Sequence, residues 1–436
     1  ACRSACPDGG LSKGVGILSC HDMKPNHQMA IPQGYKATAL GIIPQEWKTV
    51  RLRDCFYISA GGDVQKDYFS ETPSRQYKYP IYSNSLFNHG LYGFTSHPRH
   101  KANSITITGR GALGHAEYRA TDFDAIVRLL VLAPKKPLNG QYITEYINFR
   151  KPFFYESTGV PQLTAPQIAN IQVLFPPLEE QRKIAEVLGV WDEAIEKQTQ
   201  LIEKLALRKR GLVQRLLSAK LRLPGFSEPW QKVKLGDIGH FLSSNTLSRD
   251  CLNEQNGNIK NIHYGDILIK LPTIVDASFI HIPYVNDDVI VKSDYLKNGD
   301  IIFADTAEDY TVGKAIEIIN IQAIPVTSGL HTIPFRPKSG IFVNRFLGYY
   351  VNSTDYRRQL QPLIQGIKVY SISKTALCKT TLKIPTLSEQ TAIAEVLTAA
   401  DREIELAKEK LERLRRQKRG LMQQLLSSKK RVKINI

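Results

Sequence analysis

Two stretches of the chain carry their seam residues at alternating steps of four and three. The first runs through Ile184, Leu188, Trp191, Ile195, Gln198, Ile202, Leu205, Lys209, Leu212 and Leu216. The second runs through Ile393, Leu397, Ala400, Ile404, Ala407, Leu411, Leu414, Lys418, Leu421 and Leu425. That rhythm, sustained over more than four heptads, predicts coiled-coil helices. Pro176 and Pro177 mark the start of the first; Pro385 and Ser388, ahead of Glu389 and Gln390, mark the second. A helix of about 40 residues is about 60 Å long, too long to bury its stripe against one small domain. The simplest partner is the other helix, packed antiparallel about a pseudo-two-fold axis. Lys209 and Lys418 occupy equivalent seam positions and either fix the register or snorkel from a frayed end.

The two stretches are one sequence repeated. Residues 175–218 align with 384–427 without a gap, at an offset of 209, with half the positions identical. Trp47–Asp54 resembles Trp230–Asp237, and between these markers the halves diverge. The order is variable region, shared helix, variable region, shared helix.

The variable regions, 47–175 and 230–383, are not helical in pattern. Short apolar runs alternate with turn residues, as at Ser104–Thr108, Ile267–Ile269 and Ile301–Phe303. Short helices fit Gln141–Asn148 and Ile341–Ser353. The predicted class is α+β: two β-rich mixed domains alternating with two long helices. The predicted boundaries are 1–40, a weakly structured extension; 41–175, the first β-rich domain; 176–223, the first helical region; 224–383, the second β-rich domain; and 384–436, the second helical region with a basic tail. Pro224-Gly225 is a natural joint.

Composition narrows the partners. Lys and Arg number 58 against 41 Asp and Glu, a formal charge of +17 on 436 residues. Such an excess favours a polyanion such as nucleic acid. With 42% hydrophobic residues the chain has material for packed cores. No run of about 18 apolar residues exists, which argues against a membrane helix; the longest candidate, around Ala125 to Ala133, is broken by Arg128. Six cysteines (Cys2, Cys6, Cys20, Cys55, Cys251 and Cys378) form no C-x-x-C pair, which fits a reducing compartment. The first 22 residues hold three of them without hydrophobic periodicity. They read as an upstream extension before a natural start at Met23.

Tests for enzyme chemistry find little. Gly109–Gly114 matches G-x-G-x-x-G after a strand-like run, but His115–Arg119 reads as another strand, and Asp122 and Asp124 come too early for a ribose partner. The better reading is a tight strand–loop–strand with Arg110 at its tip. The second half has a counterpart, Gly299–Asp305 followed by a longer loop to Gly313-Lys314. Matched loops in divergent domains suggest a shared ligand-facing position. Gly313-Lys314 lacks the rest of a phosphate-binding loop, Phe175–Leu178 only echoes an amino-methyltransferase motif, and the ten histidines lack H-E-x-x-H spacing. No catalytic or metal residue is assigned.

The layout resembles the specificity (S) subunit of Type I restriction–modification systems. The resemblance is carried by P-x-L-x-E-Q-x-x-I-A-E-V-L at Pro176–Leu188 and Pro385–Leu397, by K-R-G-L-x-Q-x-L-L-S at Lys209–Ser218 and Lys418–Ser427, and by the Trp-x-x-Val-x-Leu entries. It implies two target recognition domains, each reading half of a bipartite, asymmetric site in double-stranded DNA. The helix pair would set the spacer and dock two methyltransferase subunits. S-adenosylmethionine would belong to those partners, and ATP and Mg2+ to restriction subunits where present, with no cofactor in this chain and a prokaryotic cytoplasmic location. The rival readings are a related phage-defence methylation system, a coiled-coil scaffold that binds no DNA, and a self-contained restriction enzyme.

The expected DNA contacts in the first domain are Arg99, His100, Lys101, Arg110 and His115, with Tyr79, Tyr82, Asn84 and Gln162 behind them; Asn and Gln can read adenine bidentately. In the second they are Asp305, Tyr310 and Lys314, with Asn245, Lys260, Lys368 and Tyr370. The seam and docking positions are Ile184, Leu188, Ile195, Ile202, Leu205, Leu212, Ile393, Leu397, Ile404, Leu411, Leu414 and Leu421. Lys429-Lys430-Arg431 would either touch phosphate or fray into solvent.

Overall fold

The computed structural model describes residues 31–150 and 162–433. The expectations for Cys2, Cys6, Cys20 and a start at Met23 lie outside these residues. The described cysteines, Cys55, Cys251 and Cys378, are all free thiols. The chain forms two compact units. One comprises residues up to Asp192 together with those from Arg416 onward, and the other comprises Glu193–Arg415. Both long helices, Leu178–Leu216 and Leu387–Leu425, are therefore shared between units.

In the first unit, a sheet orders its strands Phe56–Ala60, Leu130–Pro134, Ser104–Ile107, Ala116–Arg119. A second sheet runs Asp124–Ala125, Tyr79–Tyr82, Leu91–Thr95, Phe69–Ser70. A hairpin, Tyr35–Thr38 with Gly41–Pro44, falls partly inside the segment expected to be weakly structured. Lys48–Arg51 pairs with Gln172–Phe175 and brings the start of the variable region to its end. Gly140–Arg150 is helical, as its pattern predicts.

The second unit follows the same plan in different residues. One sheet runs Gly239–Phe241, Thr332–Pro337, Ile301–Ala304, Ala315–Ile319, with Ile274–Asp276 added at the edge. The other runs Val326–Ser328, Lys260–Ile262, Tyr284–Val285, Leu252–Asn253. Gln231–Lys234 pairs with Thr381–Ile384. Asn148 and Asn352 show how close the plans are. Each amide brackets the first residue of the outgoing strand, accepting from its N–H and donating to its carbonyl: Asn148 on Ala116 at 2.9 and 2.9 Å, Asn352 on Ala315 at 3.1 and 2.8 Å.

Two local expectations change. Ile267–Ile269 is not a strand: Asp266–Lys270 forms a π-helical turn that buries Ile267 and leaves Ile269 exposed. Within Ile341–Ser353 only Phe346–Val351 is helical. Arg345 before it takes a left-handed φ of 79°, and its N–H joins that of Gly348 on the buried Glu317 carboxylate.

The long helices run antiparallel, since residues late on one meet residues early on the other. In the first unit Lys418 Nζ lies 2.6 Å from Asp192 and 2.9 Å from Glu145. In the second, Lys209 pairs with Asp401 and Arg208 with Glu403, and Gln198 Nε2 donates to Ala407 O at 2.9 Å. Asp192 and Asp401 are themselves 209 apart, as are Lys209 and Lys418. The pairing thus repeats with the roles of the helices exchanged. The lysines sit at packed positions with carboxylate partners, which favours the register role over fraying.

Of the predicted seam, Ile184, Leu188, Leu205, Ile393, Leu397 and Leu411 are buried. Ile195, Ile202, Leu212, Ile404, Leu414 and Leu421 are half-buried. The helix ends do not wait for a coiled-coil partner, however. Ile184, Ala185 and Leu188 enter the first unit's core with Trp47, Tyr142 and Tyr146, joined by Met422, Leu425 and Leu426. Ile393, Ala394 and Leu397 enter the second with Phe335, Phe346 and Tyr356, joined by Leu216 and Leu217. Each β-rich core is therefore completed by the start of its own helix and the end of the other.

Candidate nucleic-acid interface

In the first unit, one side chain gathers three loops. Asn84 Nδ2 donates to Val127 O at 2.6 Å, and its Oδ1 accepts from Gly109 N at 2.8 Å. Gly109 O in turn accepts from Leu163 N at 2.9 Å. A Cβ at Gly109 would sit 3.0 Å from Leu163 O and 3.3 Å from Arg128 O, so glycine permits the convergence. Beside it the exposed Arg110 reaches Gln162 Oε1 at 3.4 Å. After Gly114 the chain enters the strand Ala116–Arg119, not the helix a dinucleotide site needs.

Arg128 is a residue that the sequence pattern did not single out for binding. Val127 and Arg128 both adopt left-handed φ, 54° and 58°, in a turn closed by Leu129 N on Ile126 O at 3.0 Å. A β-branched residue in that region costs on the order of 1–3 kcal/mol. The turn is held by Val127 N on Gly62 O at 2.9 Å and Arg128 N on Gly61 O at 3.0 Å. The result is an exposed guanidinium beside the Arg110 loop. Its signal in the sequence was the charge that interrupts the apolar run around Ala125 to Ala133.

The other first-unit candidates are engaged elsewhere. Arg99 Nε binds the buried Asp124 at 2.7 Å and Nη2 binds Asp63 O at 3.1 Å, so it holds backbone together. His100 stacks on Phe123, 5.3 Å between centroids, and burial lowers its pKa toward the neutral imidazole. Lys101 pairs with Asp122 at 3.1 Å. His115 Nε2 lies 3.2 Å from Glu117 Oε1; burial opposes ionisation of that carboxyl, but His115 and Arg119 outweigh it and lower its pKa. The Arg119 guanidinium lies 3.6 Å from the centre of the Tyr82 ring, which is half-buried against the small cluster of Phe123, Ala125, Leu129 and Val131. Tyr79 is half-buried on the same strand. Of the nine candidates, Arg110, Asn84 and Gln162 come together, and Asn84 does so as the tie between loops.

The second unit places Asp305 where the first has Gly109. Asp305 O accepts from Ile372 N at 2.9 Å, as Gly109 O does from Leu163 N. His331, with φ of 55°, takes the place of Arg128; its Nδ1 lies 3.3 Å from Asp305 Oδ1, and Thr306 Oγ1 donates to that oxygen at 2.7 Å. Tyr310 and Tyr370 stack at 4.9 Å and 27°, with Lys368 exposed on the same hairpin. Lys314 Nζ donates to Leu268 O at 2.9 Å, and burial lowers its pKa. Asn245 is buried in a network with Asn261 and Thr327, at 2.8 and 3.2 Å. Lys260 lies over the Tyr284 ring at 5.5 Å. Asp305, Tyr310, Lys368 and Tyr370 remain at the surface cluster, whereas Lys314 and Asn245 are spent on packing; His331 carried no sequence signal.

Of Lys429-Lys430-Arg431, Arg431 is tied down, binding Glu180 and Glu46, while Lys429 and Lys430 are exposed. Among the described residues no group of three or more His, Cys, Asp or Glu is placed to hold a metal ion, and no helix is long and apolar enough to cross a membrane.

Known proteins resemble this chain in sequence and in fold. The chain is 28% identical over 295 residues to the Type I restriction enzyme MjaVIII specificity subunit of Methanocaldococcus jannaschii, a match covering 64% of this chain and 66% of that one, just under two thirds of the relative. The crystal structure of a Type I restriction-modification system S subunit from M. genitalium superposes with a TM-score of 0.55 at 16% identity, covering 87% of this chain and 96% of that one. A structure from work on complex assembly and conformational transition of the type I R-M system gives 0.54 at 16% identity, covering 88% and 98%. At that identity the two structures speak for the fold. The family described as "Type I restriction modification DNA specificity domain" matches this chain twice, over residues 44–206 and 227–416. With both halves of its repeat matched in this way, the chain belongs to that specificity-domain family.

Proposed function

We propose that this chain is the DNA-reading subunit of a Type I restriction–modification complex, each β-rich unit reading one half of a bipartite, asymmetric site. One observation carries the reading. The two units share a topology and a loop cluster, yet matching positions carry different chemistry: Gly109 and Arg128 in one, Asp305 and His331 in the other. Equivalent scaffolds with unlike tips suit two unlike half-sites. The +17 charge supplies sequence-independent attraction to phosphate. The antiparallel helices act as the spacer: two tethered readers gain effective concentration at one separation only.

The chain itself is non-catalytic in this reading. Two methyltransferase subunits dock on it, bring S-adenosylmethionine and flip the target adenine from the duplex. Restriction subunits, where they join, bring ATP and Mg2+, and the complex works in the prokaryotic cytoplasm. The test is co-expression with the neighbouring methyltransferase gene, followed by genome-wide mapping of methylated adenines. A bipartite motif supports the proposal. Methylation at a continuous palindrome overturns the two-reader arrangement, and absence of DNA binding with partners present leaves a coiled-coil scaffold.

A further inference from the structure

Each unit holds an exposed apolar side chain at the same topological place. In the first unit the strand Tyr79–Tyr82 leads into a loop that leaves Phe87 86% exposed and Leu86 51% exposed. In the second the equivalent strand, Lys260–Ile262, leads into the π-helical turn that leaves Ile269 85% exposed. Single exposed apolar residues are ordinary on protein surfaces. These two recur where the sequences have diverged, which calls for a cause.

Both tips are held rigidly. Around Phe87, Ser83 N bonds Gly90 O at 2.8 Å and Phe87 N bonds Ser85 Oγ at 3.1 Å. Asn88 and His89 both take left-handed φ, 47° and 54°. Around Ile269, the buried Asp266 accepts from His263 N at 3.2 Å and from Arg249 Nη2 at 2.6 Å. Each segment is also tied to the loop cluster of its unit. Asn84 ties the first to Gly109 and Val127, and Lys314 ties the second through Leu268 O. The first tip thus belongs to the loop that Asn84 joins to the backbone of Gly109 and Val127, and the second directly precedes Lys270, whose Nζ lies 3.9 Å from Asp266 Oδ1.

We infer that Phe87 and Ile269 are wedges that enter the base stack of the half-site each unit reads. A rigidly mounted apolar side chain on a loop joined to the candidate interface suits this, because the wedge replaces the stacking that it disrupts. A rigid mount matters because a mobile side chain would have to be ordered while also opening the step. Local unstacking makes the deformability of a base step part of what is recognised. The inference rests on the DNA-reading proposal and adds how the bound duplex is deformed.

The test uses the chain assembled with its methyltransferase partner and duplexes of the mapped site. 2-Aminopurine is placed in turn at each half-site position except the methylated adenines, whose flipping would itself raise fluorescence. Wild type should brighten the probe several-fold beside one step of the first half-site. Phe87→Ala should abolish that signal and weaken specific binding about tenfold; Phe87→Leu should keep part of both. Ile269→Ala should do the same in the second half-site only. Both residues are exposed, so the variants should melt as wild type does. Specific binding without brightening at any probe, or brightening that persists in Phe87→Ala, overturns the wedge and leaves the DNA-reading proposal standing. Loss of methyltransferase co-purification in Phe87→Ala, with its DNA signal intact, assigns the tip to protein contact and also overturns the wedge. Failure of wild type to bind the mapped site specifically overturns both.

Discussion

Arg431 binds both carboxylate oxygens of Glu180, at 3.1 and 2.8 Å. Glu180 heads the first long helix, is fully buried and also accepts from Trp47 Nε1 at 2.9 Å. In the second unit Arg222 binds Glu389 at 2.6 and 2.8 Å, and Trp230 Nε1 donates to it at 3.1 Å. Arg222 and Arg431 are 209 apart, as are Glu180 and Glu389. The residues just past the end of one helix therefore neutralise the head of the other. Arg431→Ala leaves a buried carboxylate without its cation, a loss of roughly 2–3 kcal/mol after allowing for the partly exposed guanidinium. Thermal unfolding should show the first unit melting about 5–10 °C lower, and Arg222→Ala should shift the second unit instead.

Both helices also end alike, at non-glycine residues with left-handed φ: Ala219 and Ser428, each at 59°. Leu221 N on Arg215 O at 3.0 Å and Lys430 N on Gln424 O at 3.1 Å close the two ends. Ala219→Gly should relieve about 1 kcal/mol of backbone strain. Ser428→Gly should gain less, because Ser428 Oγ also donates to Ile42 O at 3.0 Å. Chemical denaturation of the two variants compares them directly.

Arg110→Ala and Arg128→Ala should each weaken specific DNA binding by roughly 1–3 kcal/mol and relax preference at single positions of the first half-site. Asn84→Ala should act differently, because it unties two loops at once. Preference should soften across that whole half-site, and hydrogen exchange at the Gly109 amide should speed up. Binding titrations against single-substituted duplexes separate the two patterns.

Burial pushes the Glu317 carboxyl up to about 7 from 4.5, against the amides of Arg345 and Gly348 that favour its charge. A carboxyl raised by folding takes up a proton as the chain folds. The sign is therefore loss of stability as pH rises from about 4.5 to about 7. Melting of the second unit should fall over that window, and Glu317→Gln should flatten the fall. An equally steep decline in the variant would assign it to another group.

Removing one heptad from the middle of both long helices shortens them by about 10 Å, or about 3 base pairs of duplex. Methylation mapping should then report both half-sites unchanged with a shorter spacer.

The helices were legible because their information is local and periodic. A seam at steps of four and three states its own secondary structure, and the repeat at 209 states that there are two of everything. The strand–loop–strand at Gly109 was legible for a similar reason, since glycines between apolar runs mark a turn. Which polar side chains the fold leaves free was not. Arg99, Lys314 and Asn245 have the side chains that bind DNA, and the fold engages each with its own backbone or polar groups. Arg128 looked like an interruption until the left-handed turn turned it outward.

The sequence by itself determined the α+β class, the paired helices, the order of the regions and the family resemblance, because these rest on composition, periodicity and repetition along the chain. Tertiary structure alone decided which polar groups are free to meet a ligand and which are neutralised. Lys418 finds Glu145 across 273 residues and Arg431 finds Glu180 across 251. A charge buried beside its counter-ion and one left in water have the same letter in the sequence, and only folding tells them apart.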